Sequence, residues 1–259
     1  MTVSSHSAPS VRAPSVCLRE VSLRYEDTVI AEHLSVELPG GRCTCLLGTS
    51  GVGKTTLLRF VAGLVAAGAA KGQVDTSDGL PLAGRVAYMA QRDLLVPWLS
   101  VIDNVLIGAR FRHESISGEV RGRARQLLDE LGLSSYADAL PAALSGGMRQ
   151  RTALARTLFE DRPIVLMDEP FSSLDVITRH RLQTLAATRL ADRTALLITH
   201  DPMEALRLGH VIYVLEGRPV ELSEPIYPSD LPPRSVERED ILVLYGKLLE
   251  RLGGAAART

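Results

Sequence analysis

Gly48-Thr49-Ser50-Gly51-Val52-Gly53-Lys54-Thr55 decides the fold, because it fits the G-x-x-x-x-G-K-[ST] pattern that wraps a nucleotide's phosphates. Its glycines let backbone N–H groups turn inward and approach phosphate oxygens closely. Lys54 puts a compact positive charge on the β- and γ-phosphates, and the Thr55 hydroxyl can ligate Mg2+. Working outward, Cys43 to Leu47 (C-T-C-L-L) predicts a short buried strand. Thr56 to Ala62 predicts a helix whose positive N-terminus is aimed at the phosphates. That strand–loop–helix setting separates a phosphate loop from an ordinary glycine-rich turn. It predicts nucleotide binding without saying what the nucleotide is for.

A length of 259 residues suits one large domain or a core with a subdomain, and 46% hydrophobic residues supply a real core. A net charge of −1 argues against broad electrostatic binding to nucleic acid. The bases are almost all arginine; only Lys54, Lys71 and Lys247 are lysines, and one of the three sits in the phosphate loop. Three cysteines (Cys17, Cys43, Cys45) cannot all pair and no secretory signal precedes them, so a reduced, cytoplasmic compartment is expected. Cys43-x-Cys45 has no matching second pair and reads as strand packing rather than half a metal site. No apolar run approaches the roughly 18 residues that span a bilayer.

Along the chain, Met1 to Ser15 is Ser/Pro/Ala-rich and aperiodic, which predicts a mobile leader. Val16 to Leu23 and His33 to Leu38 read as strands, with Tyr25 in a polar turn between them. Tyr25 lies just upstream of the loop and is a candidate face for stacking an adenine ring. Arg85 to Met89 predicts a strand ending at Ala90-Gln91. Leu94 to Val105 is apolar and holds the only tryptophan, Trp98, and the only asparagine, Asn104. Val120, Ala124, Leu127, Leu128 and Leu131 repeat at helix spacing, so residues 92–159 read as a helical insertion between strands. Helix is expected at Val176 to Leu190, strand at Thr194 to Thr199, and a hairpin joining Val211 to Leu215 with Arg218 to Glu221. Residues 223–259 read as a Pro-rich linker and an amphipathic helix from about Val236 to Leu252.

Two further stretches carry chemistry. In Ile164-Val165-Leu166-Met167-Asp168-Glu169, four apolar residues precede two carboxylates, which predicts a buried parallel strand ending in acid. Ligands bind at that end of an open α/β sheet. Asp168 is then placed to hold Mg2+ opposite Thr55, and Glu169 to orient or deprotonate an attacking water. Leu144-Ser145-Gly146-Gly147-Met148-Arg149-Gln150 reads as a helix N-terminus, either an anion site or simply a helix capped by Ser145.

With these residues in view, the chain resembles the ATP-binding cassette (ABC) ATPases from about Val16 to Glu221. Tyr25 matches the adenine-stacking aromatic, Gly48 to Thr55 the Walker A loop, and Gln91 the Q-loop glutamine. Leu144 to Gln150 matches the family signature, and Ile164 to Glu169 the Walker B strand with its glutamate. Ser172-Ser173-Leu174-Asp175 matches the D-loop and His200 the switch histidine. The signature is the most specific of these. Thr49 stands where many relatives have proline, and Ser173 where alanine is common; neither position carries the catalysis.

The resemblance implies an α/β, P-loop NTPase cassette over residues 16–222, with a RecA-like core, an antiparallel β subdomain and a helical subdomain insertion. It implies that two copies sandwich two ATP molecules with Mg2+. Tyr25, Gly48, Thr49, Ser50, Gly51, Val52, Gly53, Lys54, Thr55 and Thr56 would hold the nucleotide of one copy. Ser145, Gly146 and Gly147 of the other would close over it, with Asp175 communicating across the pair. Glu169, His200, Gln91 and Lys54 would serve hydrolysis, and Thr55, Gln91 and Asp168 the metal. A kinase or GTPase reading fails on the signature, and N-K-x-D is impossible with a single asparagine. A soluble cassette of DNA repair or translation usually carries paired cassettes, zinc cysteines or basic arms, which are missing here. Asp93 to Val105 resembles cassettes of the nitrate, taurine, alkanesulfonate and thiamine-precursor importers, and Ala143 to Tyr213 most resembles those of hydroxymethylpyrimidine uptake. On that resemblance the chain sits at the cytoplasmic face of the membrane. Integral permease subunits contact it through Gln91 to Asn104, and a solute-binding protein is linked only indirectly. Pro97 and Trp98 are the candidate contacts, unless Trp98 packs inside the helical part.

Overall fold

The computed structural model describes residues 13–25, 28–49, 51–66 and 68–256. Most of the predicted leader, residues 1–12, lies outside them. Its last three residues are a correction, because they are anchored. Ala13 N donates to Asp192 O (3.2 Å), Ser15 N donates to Ser77 Oγ (3.0 Å), and Pro14 O accepts from Thr194 Oγ1 (2.7 Å).

In chain order, β1 (Val16–Tyr25) and β2 (Thr28–Leu38) pair antiparallel down to Tyr25 opposite Thr28. Tyr25 is thus the last residue of a strand rather than part of a turn, and the second strand is longer than its apolar part predicts. β3 (Cys43–Leu47) feeds the phosphate loop, and α1 begins at Lys54 itself (Lys54–Val61). β4 (Ala70–Thr76) pairs with β1, completing a three-stranded antiparallel sheet β2-β1-β4.

β5 (Val86–Met89) is followed by helices only: α2 (Val101–Val105), α3 (Ile107–Phe111), α4 (Gly118–Glu130) and α5 (Gly146–Phe159), with short 3-10 turns at Ser134–Tyr136 and Pro141–Ala143. Of the apolar run from Leu94 to Val105, only the last five residues are helical. The chain returns through β6 (Ile164–Asp168), α6 (Val176–Arg189), β7 (Thr194–Thr199), α7 (Pro202–Leu208), β8 (Val211–Glu216) and β9 (Glu221–Leu222). The predicted second hairpin arm shrinks to two residues because Val220 instead bridges Ala31 of the other sheet. Pro219 has no N–H for a ladder.

The second sheet has six strands in the order β5-β6-β7-β3-β8-β9, parallel except for β9. β3, β6 and β7 are buried at every position, as continuous apolar strands covered on both faces must be. Cys43 and Cys45 are part of that packing and form no disulfide. One apolar core lies between the two sheets (Leu18, Leu38, Leu46, Leu58, Ile198) and a second joins the parallel sheet to the helical part (Met89, Ile102, Leu128, Leu154, Phe171). The last helix, α8, runs Glu239–Ala256, three residues later than its apolar period suggests, and buries Ile241 and Leu248. The buried Arg234 holds the preceding linker, donating to the carbonyls of Leu206 (2.9 Å), Gly209 (2.8 Å) and Ser229 (2.6 Å). Among the described residues, no helix is long and apolar enough to cross a membrane.

This topology sets the site. The C-terminal ends of β3, β5, β6 and β7 lie side by side, so the loop after β3, Gln91 after β5, Asp168 and Glu169 at the end of β6, and His200 after β7 share one edge.

Candidate functional site

The phosphate loop turns on glycine. Gly53 sits at φ +108°, and a Cβ there would lie 2.4 Å from Ile30 Cγ2, so only glycine lets the loop enter α1 at this angle. Ser50 lies outside the described residues, and Val52 is buried beneath the loop. Lys54 is 5% exposed, and its Nζ donates to the carbonyls of Gly48 (2.7 Å) and Thr49 (2.8 Å). Burial lowers its pKa, against the opposing pull of Glu169 and Asp168. A cation held on two weak acceptors inside its own loop is well placed to exchange them for phosphate oxygens.

Thr55 Oγ1 donates to Asp168 Oδ2 at 2.8 Å across the cleft. Asp168 is 1% exposed, and its pKa is raised by burial first and by the adjacent Glu169, while Thr55 and Lys54 pull it down. A buried carboxylate next to a second one gains most from a nearby cation. Thr55 and Asp168 offer hydroxyl and carboxylate oxygens to the cleft, and Gln91 on the same sheet edge carries an amide oxygen; oxygen donors of this kind suit a small hard ion such as Mg2+.

Glu169 stands in the left-handed region at φ +48°, rare for a side chain longer than asparagine. Its N donates to Ile198 O (2.9 Å). One carboxylate oxygen lies 3.1 Å from His200 Nδ1, and the other accepts from Gln91 Nε2 at 3.4 Å. Gln150 of α5, 6% exposed, grips the backbone of this turn. Its Nε2 donates to Glu169 O (2.9 Å) and Ser172 Oγ (3.2 Å), and its Oε1 accepts from Ser173 N (2.8 Å). In the sequence Gln150 is only the last residue of the Leu144 to Gln150 motif; tertiary placement reveals its role.

Tyr25, Gly51, Gly53, Lys54, Thr55, Thr56, Gln91 and Glu169 line one open cavity of about 310 Å³, together with Ile30, which the sequence reading missed. Tyr25 is 63% exposed at its rim. Ser145, Gly146, Gly147 and Asp175 are not brought to this cavity. Ser145 caps α5, accepting from Met148 N (3.3 Å), and Asp175 caps α6, accepting from Thr178 N (3.0 Å). That bond holds the Asp175 carboxyl below the usual range. Ser145, Gly146 and Asp175 all stand exposed, as do Val176 and Ile177 beside them.

Trp98 is 76% exposed, which overturns packing inside the helical part. The fully buried Asn104 accounts for it. Its Oδ1 accepts from Val96 N (2.7 Å), and its Nδ2 donates to the carbonyls of Val96, Leu99 and Ser100 (3.0–3.1 Å). The loop is thereby closed beneath Pro97 and Trp98, which point outward. From α5, Arg156 donates to Leu94 O (2.8 Å) and Asp93 O (2.6 Å), and Arg149 pairs with Asp93 (3.3 Å).

The chain is similar to known proteins. The family profile described as "ABC transporter" matches residues 31–172. The chain is 40% identical over 243 residues to an uncharacterized ABC transporter ATP-binding protein of Haemophilus influenzae, covering 92% of this chain and 99% of that one. It is also 40% identical over 252 residues to the aliphatic sulfonates import ATP-binding protein SsuB 2 of Burkholderia lata, covering 95% and 89%. Among solved structures, the dimeric post-hydrolysis state of the ATP-binding cassette MJ0796, bound to ADP and Pi, aligns with a TM-score of 0.73. Identity there is 26%, with 83% of this chain and 100% of that one covered.

Proposed function

The chain belongs to the ABC transporter family, and from that premise we propose that it is the ATP-hydrolysing subunit of a bacterial importer, working as a pair with a second copy beneath permease subunits. One observation carries the reading: Lys54, Thr55, Gln91 and Glu169 line one cavity, with Asp168 bonded to Thr55 and His200 paired to Glu169, while Ser145 and Gly146 stand exposed away from it. A site whose closing residues face outward is completed by another copy.

Tyr25 stacks the adenine, and the loop from Gly48 to Thr56 surrounds the phosphates with backbone N–H groups and the N-terminus of α1. Lys54 moves from its own carbonyls to the β- and γ-phosphates. Thr55, Asp168 and Gln91 are the residues that would hold Mg2+, which would neutralise charge on the phosphates. Glu169 takes a proton from the attacking water as its oxygen bonds to the γ-phosphorus and the bond to the ADP oxygen breaks. His200 donates to a γ-phosphate oxygen and stabilises the charge in transfer. Ser145 and Gly147 of the partner approach the same phosphates, and Asp175 faces across the pair.

Pro97 and Trp98 form the contact with the permease at the cytoplasmic face of the membrane, where the subunit is peripheral. Trp98→Ala is expected to leave the hydrolysis rate of the isolated subunit within about twofold and to lower transport about tenfold or more, since a truncated interface tryptophan commonly costs 2 kcal/mol or above. Transport unchanged by Trp98→Ala would remove this contact.

The SsuB name of one relative supports an aliphatic sulfonate as the cargo ahead of the hydroxymethylpyrimidine, taurine or nitrate alternatives, and these relatives lend nothing to a DNA-repair or translation role. The test is co-purification with the permease and solute-binding protein, followed by vesicle uptake. Sulfonate, taurine, nitrate and hydroxymethylpyrimidine are supplied separately. Sulfonate-stimulated hydrolysis is expected, stimulation by another solute reassigns the cargo, and no permease association sinks the importer reading.

A further inference from the structure

Behind Glu169 and His200 lies a second cavity of about 40 Å³, into which Ser172, Arg179, Asp201 and Glu204 also face. The hydrolysis described above uses neither Arg179 nor Glu204. Arg179, on α6, spans two loops: its Nη2 donates to Leu174 O (3.0 Å), in the turn before Asp175, and its Nη1 lies 3.6 Å from Asp201 Oδ2, beside His200. Its Nε is buried without a hydrogen bond. Glu204, on α7, is 4% exposed. Its Oε2 accepts from Gln183 Nε2 (3.4 Å), and its Oε1 is likewise buried without a hydrogen bond. Orphaned buried groups on two facing helices are uncommon in a finished core and mark a place where partners change.

On the paired-site reading of function, we propose that Arg179 is a positioning residue for hydrolysis, tying the turn at 172–175 to the loop at 200–201. The placement of that turn against the second copy thereby sets where His200 stands relative to Glu169.

The side-chain chemistry suits the task. A guanidinium presents five donors in a rigid fork and can hold a carbonyl on one element and a carboxylate on another, which the single point of an ammonium cannot do equally. Asp201 is itself fixed, accepting from Met203 N (2.9 Å) at the start of α7, so a pull on its carboxylate moves the loop that carries His200. Glu204 sets the condition under which the tie holds. Burial first, and then the Asp201 carboxylate, push its carboxyl up to about 8, against Thr199, Arg179 and Gln183. At pH 7 it is neutral and leaves Arg179 to Leu174 and Asp201. Above about pH 8 it becomes an anion facing Arg179 across the cavity and competes with both; the other titratable groups around it are Asp201, Glu169 and His200 at the cavity and the Cys45 thiol of β3. The sign for folding agrees. With its pKa raised from 4.5, Glu204's contribution is full below that value and is lost as pH rises to about 8.

The full chain is assayed with Arg179→Met, Arg179→Lys and Glu204→Gln from about pH 6.5 to about 9.5. Arg179→Met is expected to lower kcat about tenfold or more with KM for ATP within about twofold, the pattern of a lost transition-state arrangement, and Arg179→Lys to recover part of it. Glu204→Gln cannot ionise and should keep its rate above pH 8, where the unsubstituted chain loses it. Wild-type kcat in Arg179→Met overturns the proposal. So does a Glu204→Gln pH profile that superimposes on the unsubstituted one, a readout that stands even if Arg179→Met does not fold. Absence of any ATP hydrolysis in the unsubstituted chain would instead sink the paired-site reading, and the proposal with it.

Discussion

Lys54→Ala is expected to bind Mg-ATP about a hundredfold or more weakly than the unsubstituted chain and to show no measurable turnover. The ammonium is buried, sits at the mouth of α1, and now spends its hydrogen bonds on Gly48 and Thr49 carbonyls. In the proposed ATP complex, phosphate oxygens would replace those neutral acceptors. Charge-assisted bonds of that kind contribute about 1.5–3 kcal/mol each, and two of them amount to a factor of about 10² to 10⁴ in affinity. Fold stability should change far less, because Lys54 itself lines the open cavity, where water can fill the place of its ammonium. Fluorescent-nucleotide titration and thermal unfolding of the same preparation separate the two effects. An affinity within about threefold of normal would remove Lys54 from the phosphate site.

Glu169→Gln is expected to lower turnover by about 10² to 10⁴, the usual worth of a positioned general base, while ATP binding is retained. The substitution is nearly isosteric. The amide can still meet Gln91 and His200, and the backbone keeps the same left-handed φ, so neither geometry nor strain accounts for the loss. With hydrolysis blocked, the ATP-bound pair should accumulate, visible as a doubling of mass by light scattering that ADP does not produce. Undiminished turnover would remove Glu169 from its assigned role.

The parallel core was legible because its strands are unbroken apolar runs. Cys43–Leu47 and Thr194–Thr199 have the bounds their composition predicts. Elsewhere the local pattern was silent. α2 and α3 are five residues each, too short to show a helical period. The start of α1 is hidden because Lys54 and Thr55 read as the end of a glycine-rich loop rather than as a first helical turn. Composition could not tell whether Trp98 packs or protrudes; three carbonyls gathered by Asn104 decide it. In the site, the residues at strand ends were readable as motif chemistry. Gln150, Arg179 and Glu204 were not, since a polar residue within a helix normally predicts a solvated face and their surroundings come from turns distant in sequence.

The gathering of contacts along α5 bears on how two sites in a pair would communicate. Ser145 at its start faces outward, Gln150 holds the backbone of the chain's own Glu169 turn, and Arg149 and Arg156 hold the loop that presents Trp98. Five residues, about 7.5 Å of helix, separate the first of these from the second. In the proposed pair, a nucleotide gripped by Ser145 of one copy would tug on the catalytic turn of that same copy, which belongs to the opposite site. Such coupling is reciprocal by thermodynamic necessity. ATP consumption should then rise sigmoidally with concentration, with a Hill coefficient between one and two, and a partner seated on Trp98 should change that coefficient along with the rate.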